Sequence, residues 1–328
     1  MQKIRFLIIR FSSIGDIVLT TPVVRCLKKQ VEDAEVHYLT KPQFSKILEN
    51  NPYIDKVHIL KESFSETIHE LKYEHFDYII DLHKNLRSFR VKNKLKIISF
   101  SFDKLNKEKW LMVNFKKNRL PDTHIVDRYL KTLSIFDVQN DQQGLDYFIP
   151  DQDEVDLSAI SNDLKNGYVG VVVGAYHNTK KLPKEKLIAI CKKIDKPIVL
   201  LGGPNDRDEA EIIKNAVGEN IYNTCGEYNI NQSASLVKQA DVILTPDTGL
   251  MHIASAFKKK IVSVWGNTIP EFGMYPYLPH PKSEIMEIEG LKCRPCTKIG
   301  FTKCPKKHFK CILDLDDDVI AQKIKYLE

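Results

Sequence analysis

Short runs of aliphatic residues alternate with longer segments whose apolar positions recur every three to four residues, almost from end to end. Ile4–Arg10, Glu35–Leu39, Tyr78–Leu82 and Lys96–Phe100 are expected as strands in the first half. Tyr168–Val173, Ile198–Leu201, Asp241–Thr245 and Lys260–Trp265 are expected as strands in the second. Thr21–Gln30, Lys184–Ile194, Asp208–Val217 and Ser233–Gln239 carry the helical period between them. Such alternation means an α/β protein with parallel sheet covered on both faces. The pattern lapses over Gln139–Asn166, rich in Asp, Gln, Asn and Pro, which reads as a linker. Two doubly wound, Rossmann-like units are therefore expected, residues 1–155 and 156–312. A final segment, 313–328, contains a helix over Leu315–Leu327 with no strand to cross to, and it is expected to pack back on the first unit. Units of this kind bind ligands beyond the carboxyl ends of their strands, so the ligand is expected in a central cleft that both sheets face.

The 328 residues suit two ordinary domains, and 43% hydrophobic with 28% charged residues excludes a largely disordered chain. Apolar runs such as Tyr168–Val173 fall far short of the ~18–20 residues that span a bilayer. Lys3, Arg5, Arg10 and Asp16 interrupt any signal-peptide apolar region, so a cytoplasmic chain is expected.

Charge changes the picture through its placement. The net charge is +6, but Lys84–Arg119 holds 12 Lys/Arg against 2 Asp/Glu, and Lys292–Lys310 holds 7 Lys/Arg and no acid. Two basic stretches on an otherwise acidic body point to an anionic partner: nucleic acid, a phosphorylated substrate or a membrane surface; solvated lysine-rich faces are the plainer alternative. Cys26, Cys191 and Cys225 lie in apolar pattern and read as small core residues. Cys293, Cys296, Cys304 and Cys311 cluster, and four thiolates at short spacing make a candidate structural zinc site, with reduced thiols in a Pro-containing loop as the alternative.

Candidate chemistry falls where strands end. Phe11–Asp16 follows the first strand; Gly15 permits close backbone approach, and Asp16 is a general base or a helix-start carboxylate. With one glycine rather than GxGxxG, the turn speaks against dinucleotide binding and so against a nicotinamide-dependent oxidoreductase. Gly174–Pro183 brings Lys180 over the sheet edge, as a phosphate contact or a surface lysine, and Pro183 suits a helix start. Leu200–Asp206 supplies Asn205 and Asp206 for ribose hydroxyls, or a plain turn. Pro246–His252 opens a helix after a strand. The amides of Thr248, Gly249 and Leu250 can take a diphosphate, while Asp247 suits sugar hydroxyls and His252 lies one turn on.

Taken together, the Ile8–Pro22 segment, Thr179–Pro183, Pro246–His252 and the Cys293–Pro305 loop resemble the ADP-heptose:lipopolysaccharide heptosyltransferases of glycosyltransferase family 9 over essentially the whole chain. The resemblance implies the GT-B fold and inverting transfer of heptose from ADP-heptose to the inner core of lipopolysaccharide, a Kdo-lipid A type acceptor. It implies Asp16 as the base, Lys180 and Thr179 with Asp206 at the donor, and Asp247, Thr248, Gly249, Leu250 and His252 in the donor block. Ser13, Gly15, Lys84 and Arg87 are expected on the acceptor side. Many members carry an aromatic residue before the proline that is here Pro183; this chain has Leu182. No cofactor is expected for catalysis, and a peripheral encounter with the inner face of the cytoplasmic membrane follows from a lipid-anchored acceptor. A related transferase with another nucleotide sugar is the near alternative, and a zinc-containing nucleic-acid-binding protein the distant one; nucleic acid is not expected as a partner.

Overall fold

Strand β1 (Ile4–Ile9) is apolar on both faces and fully buried from Phe6 onward, which suits the centre of a sheet covered on both sides. The computed structural model describes residues 3–328, and β1 stands at the middle of the first of two units. That unit runs through α1 (Ile14–Val18), α2 (Thr21–Gln30), β2 (Ala34–Thr40), β3 (Lys56–Ile59), α3 (Phe64–Tyr73), β4 (Tyr78–Asp81), α4 (Leu86–Leu95) and β5 (Ile98–Ser101). The chain then passes through α5 (Asn106–Phe115) to α6 (Ile125–Leu130). Among the described residues the first sheet has the order β3-β2-β1-β4-β5, all parallel.

Arg25 anchors the segment read as linker. It lies on the buried face of α2 at 1% exposure, donates to both oxygens of Asp141 at 2.8 and 2.9 Å and to the Gly144 carbonyl at 2.8 Å, and also pairs with Asp146. The bond from Arg25 holds the Asp141 carboxyl down to about 2. Leu145 and Tyr147 are buried as well, so the stretch from Gln139 is folded against α2. It lacks apolar period because polar contacts hold it.

The second unit comprises β6 (Val169–Val172), α7 (Lys184–Cys191), β7 (Ile198–Leu201), α8 (Arg207–Val217), β8 (Ile221–Asn223), α9 (Ile230–Gln239) and β9 (Val242–Pro246). It continues with α10 (Gly249–Ala256), β10 (Lys260–Trp265), β11 (Glu284–Glu287), α11 (Lys310–Leu313) and α12 (Asp317–Leu327). Its parallel sheet has the order β11-β10-β9-β6-β7-β8.

Two boundary expectations are corrected. The first unit takes residues up to Lys104 and Thr123–Phe148, whereas Leu105–Asp122, with α5, groups with Ile149–Glu328. Lys116 Nζ donates to the Pro295 carbonyl at 2.6 Å, so the Lys84–Arg119 stretch divides between the units. Helix α12 packs on the second unit rather than the first. Ile320, Ala321, Ile324 and Leu327 share a core with Leu187, Ile190 and Val262, and burying such a stripe contributes several kcal/mol, at roughly 1.5–3 kcal/mol for each large side chain. Lys186, 8% exposed on α7, donates to the Leu315 carbonyl at 2.6 Å and pairs with Asp317 at 2.7 Å.

Candidate active site

In each sheet the strand order reverses once, and the loops after the strands flanking that reversal splay apart to leave a ligand crevice. In the first sheet the reversal lies between β1 and β4; in the second it lies between β6 and β9. The residues singled out in the sequence gather at these two places.

At the first, the chain leaves β1 through Arg10 and Phe11 and enters the short helix α1 at Ile14, ahead of the expected helix over Thr21–Gln30. Asp16 is the third residue of that helix and accepts from Ser13 Oγ at 2.8 Å and Ser13 N at 3.2 Å through one oxygen, Oδ2. Its other oxygen, Oδ1, takes Arg10 Nη2 at 2.7 Å. The carboxylate therefore has both a helix-start role and an ion-pair role, and its side chain keeps 20% exposure. Arg10 is nearly buried and donates also to the carbonyls of Ser12 at 2.7 Å and Leu82 at 2.6 Å and to the Tyr129 hydroxyl at 3.1 Å. Burial alone would lower its pKa, but Asp16 more than reverses that, so the guanidinium stays charged. Gly15 is buried and Ser13 exposed beside it.

The neighbouring β4–α4 loop is built around Asp81, fully buried at the end of β4. Asp81 accepts from the amides of His83 at 3.1 Å and Lys84 at 2.7 Å and from Ser88 Oγ at 2.9 Å, and pairs with Lys92 at 3.0 Å. Asn85 and Ser88 exchange side-chain-to-backbone bonds at 2.9 Å that start α4. This scaffold leaves Lys84 and Arg87 exposed. The two loops meet at Phe11: His83 stands edge-on to its ring at 4.9 Å, and the Arg87 guanidinium lies 6.0 Å over it. Burial first, and Arg10 and Lys104 next, push His83 down to about 4, so it is a neutral imidazole near neutrality. No motif in the sequence singles out His83 or Arg10, since both follow from where β1 and β4 end.

In the second unit, Pro183 precedes α7, and Lys180 lies just before it. Lys180 Nζ pairs with Asp247 Oδ2 at 2.5 Å, across the β6/β9 reversal. Thr268 Oγ1 donates to that same oxygen at 3.2 Å. Thr248 stands at the N-cap position of α10 without a side-chain bond to it, and the amides of Gly249 and Leu250 open the first turn, where helix N–H groups lack partners within the helix. His252 lies one turn further in and is 2% exposed.

Two donor expectations meet competing contacts. Thr179 is 2% exposed and exchanges bonds with the Phe301 backbone, at 3.0 Å to its carbonyl and 2.8 Å from its amide, so its hydroxyl clamps the cysteine loop. Asp206 accepts from Lys181 at 2.6 Å and from the Gly203 amide at 3.0 Å. Its carboxylate presses so closely on the β6 exit that a Cβ on Gly174 would lie 2.0 Å from Oδ2, which explains that glycine. Leu182 is 1% exposed within the core and offers no face for stacking.

The four loop cysteines lie near one another, Cys311 buried and the other three partly exposed. All seven cysteines are free of disulfides, and burial pushes Cys296 up to about 11 and Cys311 up to about 12 in the ion-free chain. Among the described residues the metal-capable side chains that converge are His37, His58 and Glu74 of the first unit, not the cysteine quartet. The loop instead supports the β9–β10 edge. Buried Arg294 donates to the Thr268 carbonyl at 2.8 Å and pairs with Glu287 at 2.6 Å, and Cys296 N donates to the Asn267 carbonyl at 3.1 Å. Thr268, Arg294 and Asn267 carry no sequence signal.

Comparison with known proteins places this geometry. The model of glycosyltransferase family 9 (heptosyltransferase) matches residues 65–304. A lipopolysaccharide heptosyltransferase 1 of Campylobacter coli is 26% identical, covering 98% of each chain. A glycosyltransferase family 9 structure from Veillonella parvula superposes with TM-score 0.78 at 19% identity, over 100% of this chain and 98% of that one. The E. coli ADP-heptose lipopolysaccharide heptosyltransferase II structure gives TM-score 0.75 at 18% identity, over 99% and 98%.

Proposed function

The chain belongs to glycosyltransferase family 9, and on that premise we propose that it transfers a heptosyl group, with inversion, from ADP-heptose to the inner core of lipopolysaccharide. Its two parallel-sheet units have the GT-B fold. The observation that carries the reading is the split of chemistry between the two strand-order reversals. One holds a carboxylate fit to accept a proton, and the other holds a cation and helix amides fit to accept a leaving diphosphate.

In the proposed step an acceptor hydroxyl oxygen bonds to the anomeric carbon while the bond from that carbon to the β-phosphate oxygen breaks. Asp16 takes the hydroxyl proton, with its carboxylate held in place by Arg10, which is itself fixed by backbone carbonyls. ADP departs with its new negative charge met by Lys180 and by the amides of Thr248, Gly249 and Leu250. Lys180 must exchange Asp247 for the diphosphate, which releases Asp247, still held by Thr268, towards sugar hydroxyls. Lys84 and Arg87 grip the carboxylates and phosphates of a Kdo-lipid A type acceptor. Leu86 and Phe89 are 76% and 53% exposed on α4 beside Arg87 and Arg90, a combination suited to a peripheral encounter with an anionic inner-membrane surface. Every step rests on side chains and amides of the chain itself.

Nucleotide release from a donor panel tests the reading. Acceptor-dependent release of ADP from ADP-heptose, with little from UDP- or GDP-sugars, is expected. Release from a UDP-sugar alone would keep the fold and discard the donor.

A further inference from the structure

The first unit carries a polar cluster that the transfer chemistry does not use. His37 on β2 and His58 on β3 share one sheet face, because His58 pairs in register with Leu39, two residues on from His37. They are 1% and 7% exposed, their rings stack at 5.1 Å, and both stand edge-on to Phe76. Glu74, the residue that ends α3, completes the group.

His37 Nδ1 lies 2.8 Å from His58 Nε2 and 3.8 Å from Glu74 Oε2. A tetrahedral zinc ion with bonds of ~2.0–2.1 Å holds its ligand atoms about 3.3 Å apart, and the three atoms, all within 4.8 Å of one another, reach that arrangement by side-chain shifts of about 1 Å. On the far side of the ring, His37 Nε2 is 3.0 Å from Glu35 Oε1. The imidazole donates that N–H to Glu35, which leaves the Nδ1 lone pair aimed into the cluster. This is the carboxylate–histidine arrangement that orients metal-binding imidazoles.

We infer that His37 Nδ1, His58 Nε2 and Glu74 form a zinc site with a fourth position for water, oriented from outside by Glu35. Without the ion, His58 Nε2–H donates to His37 Nδ1. Binding requires His58 to carry its proton on Nδ1 instead, so the ion enters without displacing a net proton from the imidazoles. Lys56 stays on the other Glu74 oxygen at 2.5 Å, and Lys3 and Arg5 flank Glu35 at 3.5 and 3.4 Å. His37 pairs in register with Leu7, mid-sheet, away from the carboxyl edge where β1 delivers Arg10 and Asp16. The site is therefore structural: it ties edge strand β3 to β2 and to the end of α3.

The test uses the full chain with Cys293, Cys296 and Cys304 changed to Ser, which leaves buried Cys311 as the single thiol of that cluster. Zinc is titrated against a chromophoric chelator, and Tm is followed with and without zinc. Expected are one bound equivalent, a Tm that rises with zinc, and at least tenfold weaker binding in both Glu74→Gln and His58→Gln. Glu74→Gln also removes the Lys56 ion pair, so it is compared with Lys56→Met, which loses the same pair and should keep both zinc binding and the zinc-dependent rise in Tm. Cobalt in the chain with native cysteines should show no thiolate charge-transfer band at the first equivalent. No zinc bound in the serine background, undiminished affinity in Glu74→Gln, or a thiolate band at the first equivalent would each overturn the assignment.

Discussion

The two strand-order reversals hold their charged groups in opposite ways. At β1/β4, Asp16 is paired with an arginine whose remaining bonds go to backbone carbonyls and a tyrosine hydroxyl, so the carboxylate is fixed before any ligand arrives. At β6/β9, Lys180 and Asp247 are paired with each other, and a bound anion must break that pair to use the lysine. The difference teaches where each part of the reaction is prepared: proton acceptance is pre-organised, whereas donor capture involves an exchange of ion pairs.

The comparison is open to attack by substitution. The largest effect is expected for Asp16→Asn, which keeps shape and removes the proton acceptor. Turnover should fall by roughly 10²–10⁴ with donor affinity unchanged, measured by steady-state ADP release and calorimetry. Next is Lys180→Met, which should weaken donor binding roughly 10- to 100-fold, since a charge-assisted bond contributes about 1.5–3 kcal/mol. It should also lower Tm, because Asp247 is left half-buried without its cation. The double change Lys180→Met with Asp247→Asn should recover the Tm but not the affinity.

A smaller effect concerns the first unit's stability in acid. Asp141 is held down to about 2, first by its bond from Arg25, so its stabilisation is complete above its ordinary pKa near 4. That share is lost as pH falls through about 2, and Asp141→Asn should flatten the dependence in urea unfolding followed between pH ~5 and ~2. Asp146, pushed up mainly by burial, works in the opposite direction and limits the size. The smallest effect is expected at the acceptor loop. Lys84→Ala and Arg87→Ala should each raise acceptor KM a few-fold at most, since exposed charge contacts contribute about 0.2–1 kcal/mol.

The same contrast explains what could be read from the sequence. Central strands β1, β4, β6, β7, β9 and β10 announce themselves as apolar runs because both faces are buried. Edge strands β3, β8 and β11 did not, being short and only partly buried: Glu284–Glu287 carries a carboxylate at each end. The ends of the central strands also delivered Asp16, Lys180 and the Asp247–Gly249 block, since ligand loops follow buried strands. What stayed hidden depends on distant pairing. Arg10 reaches Leu82 and Tyr129, Thr179 turns to Phe301, and His37 meets His58 from the next strand, and no local spacing encodes these contacts. The placement of α12 is hidden for the same reason, because its apolar stripe has no mark of which sheet it covers.

The division of labour is tested most directly by measuring, on Asp16→Asn and Lys180→Met side by side, the Kd for ADP-heptose and the single-turnover rate of heptosyl transfer at saturating donor. A crossed result is expected: Asp16→Asn binds donor like wild type and transfers slowly, while Lys180→Met binds poorly and loses far less of its rate once saturated. Equal loss of donor affinity in both variants, or wild-type transfer by Asp16→Asn, would contradict it.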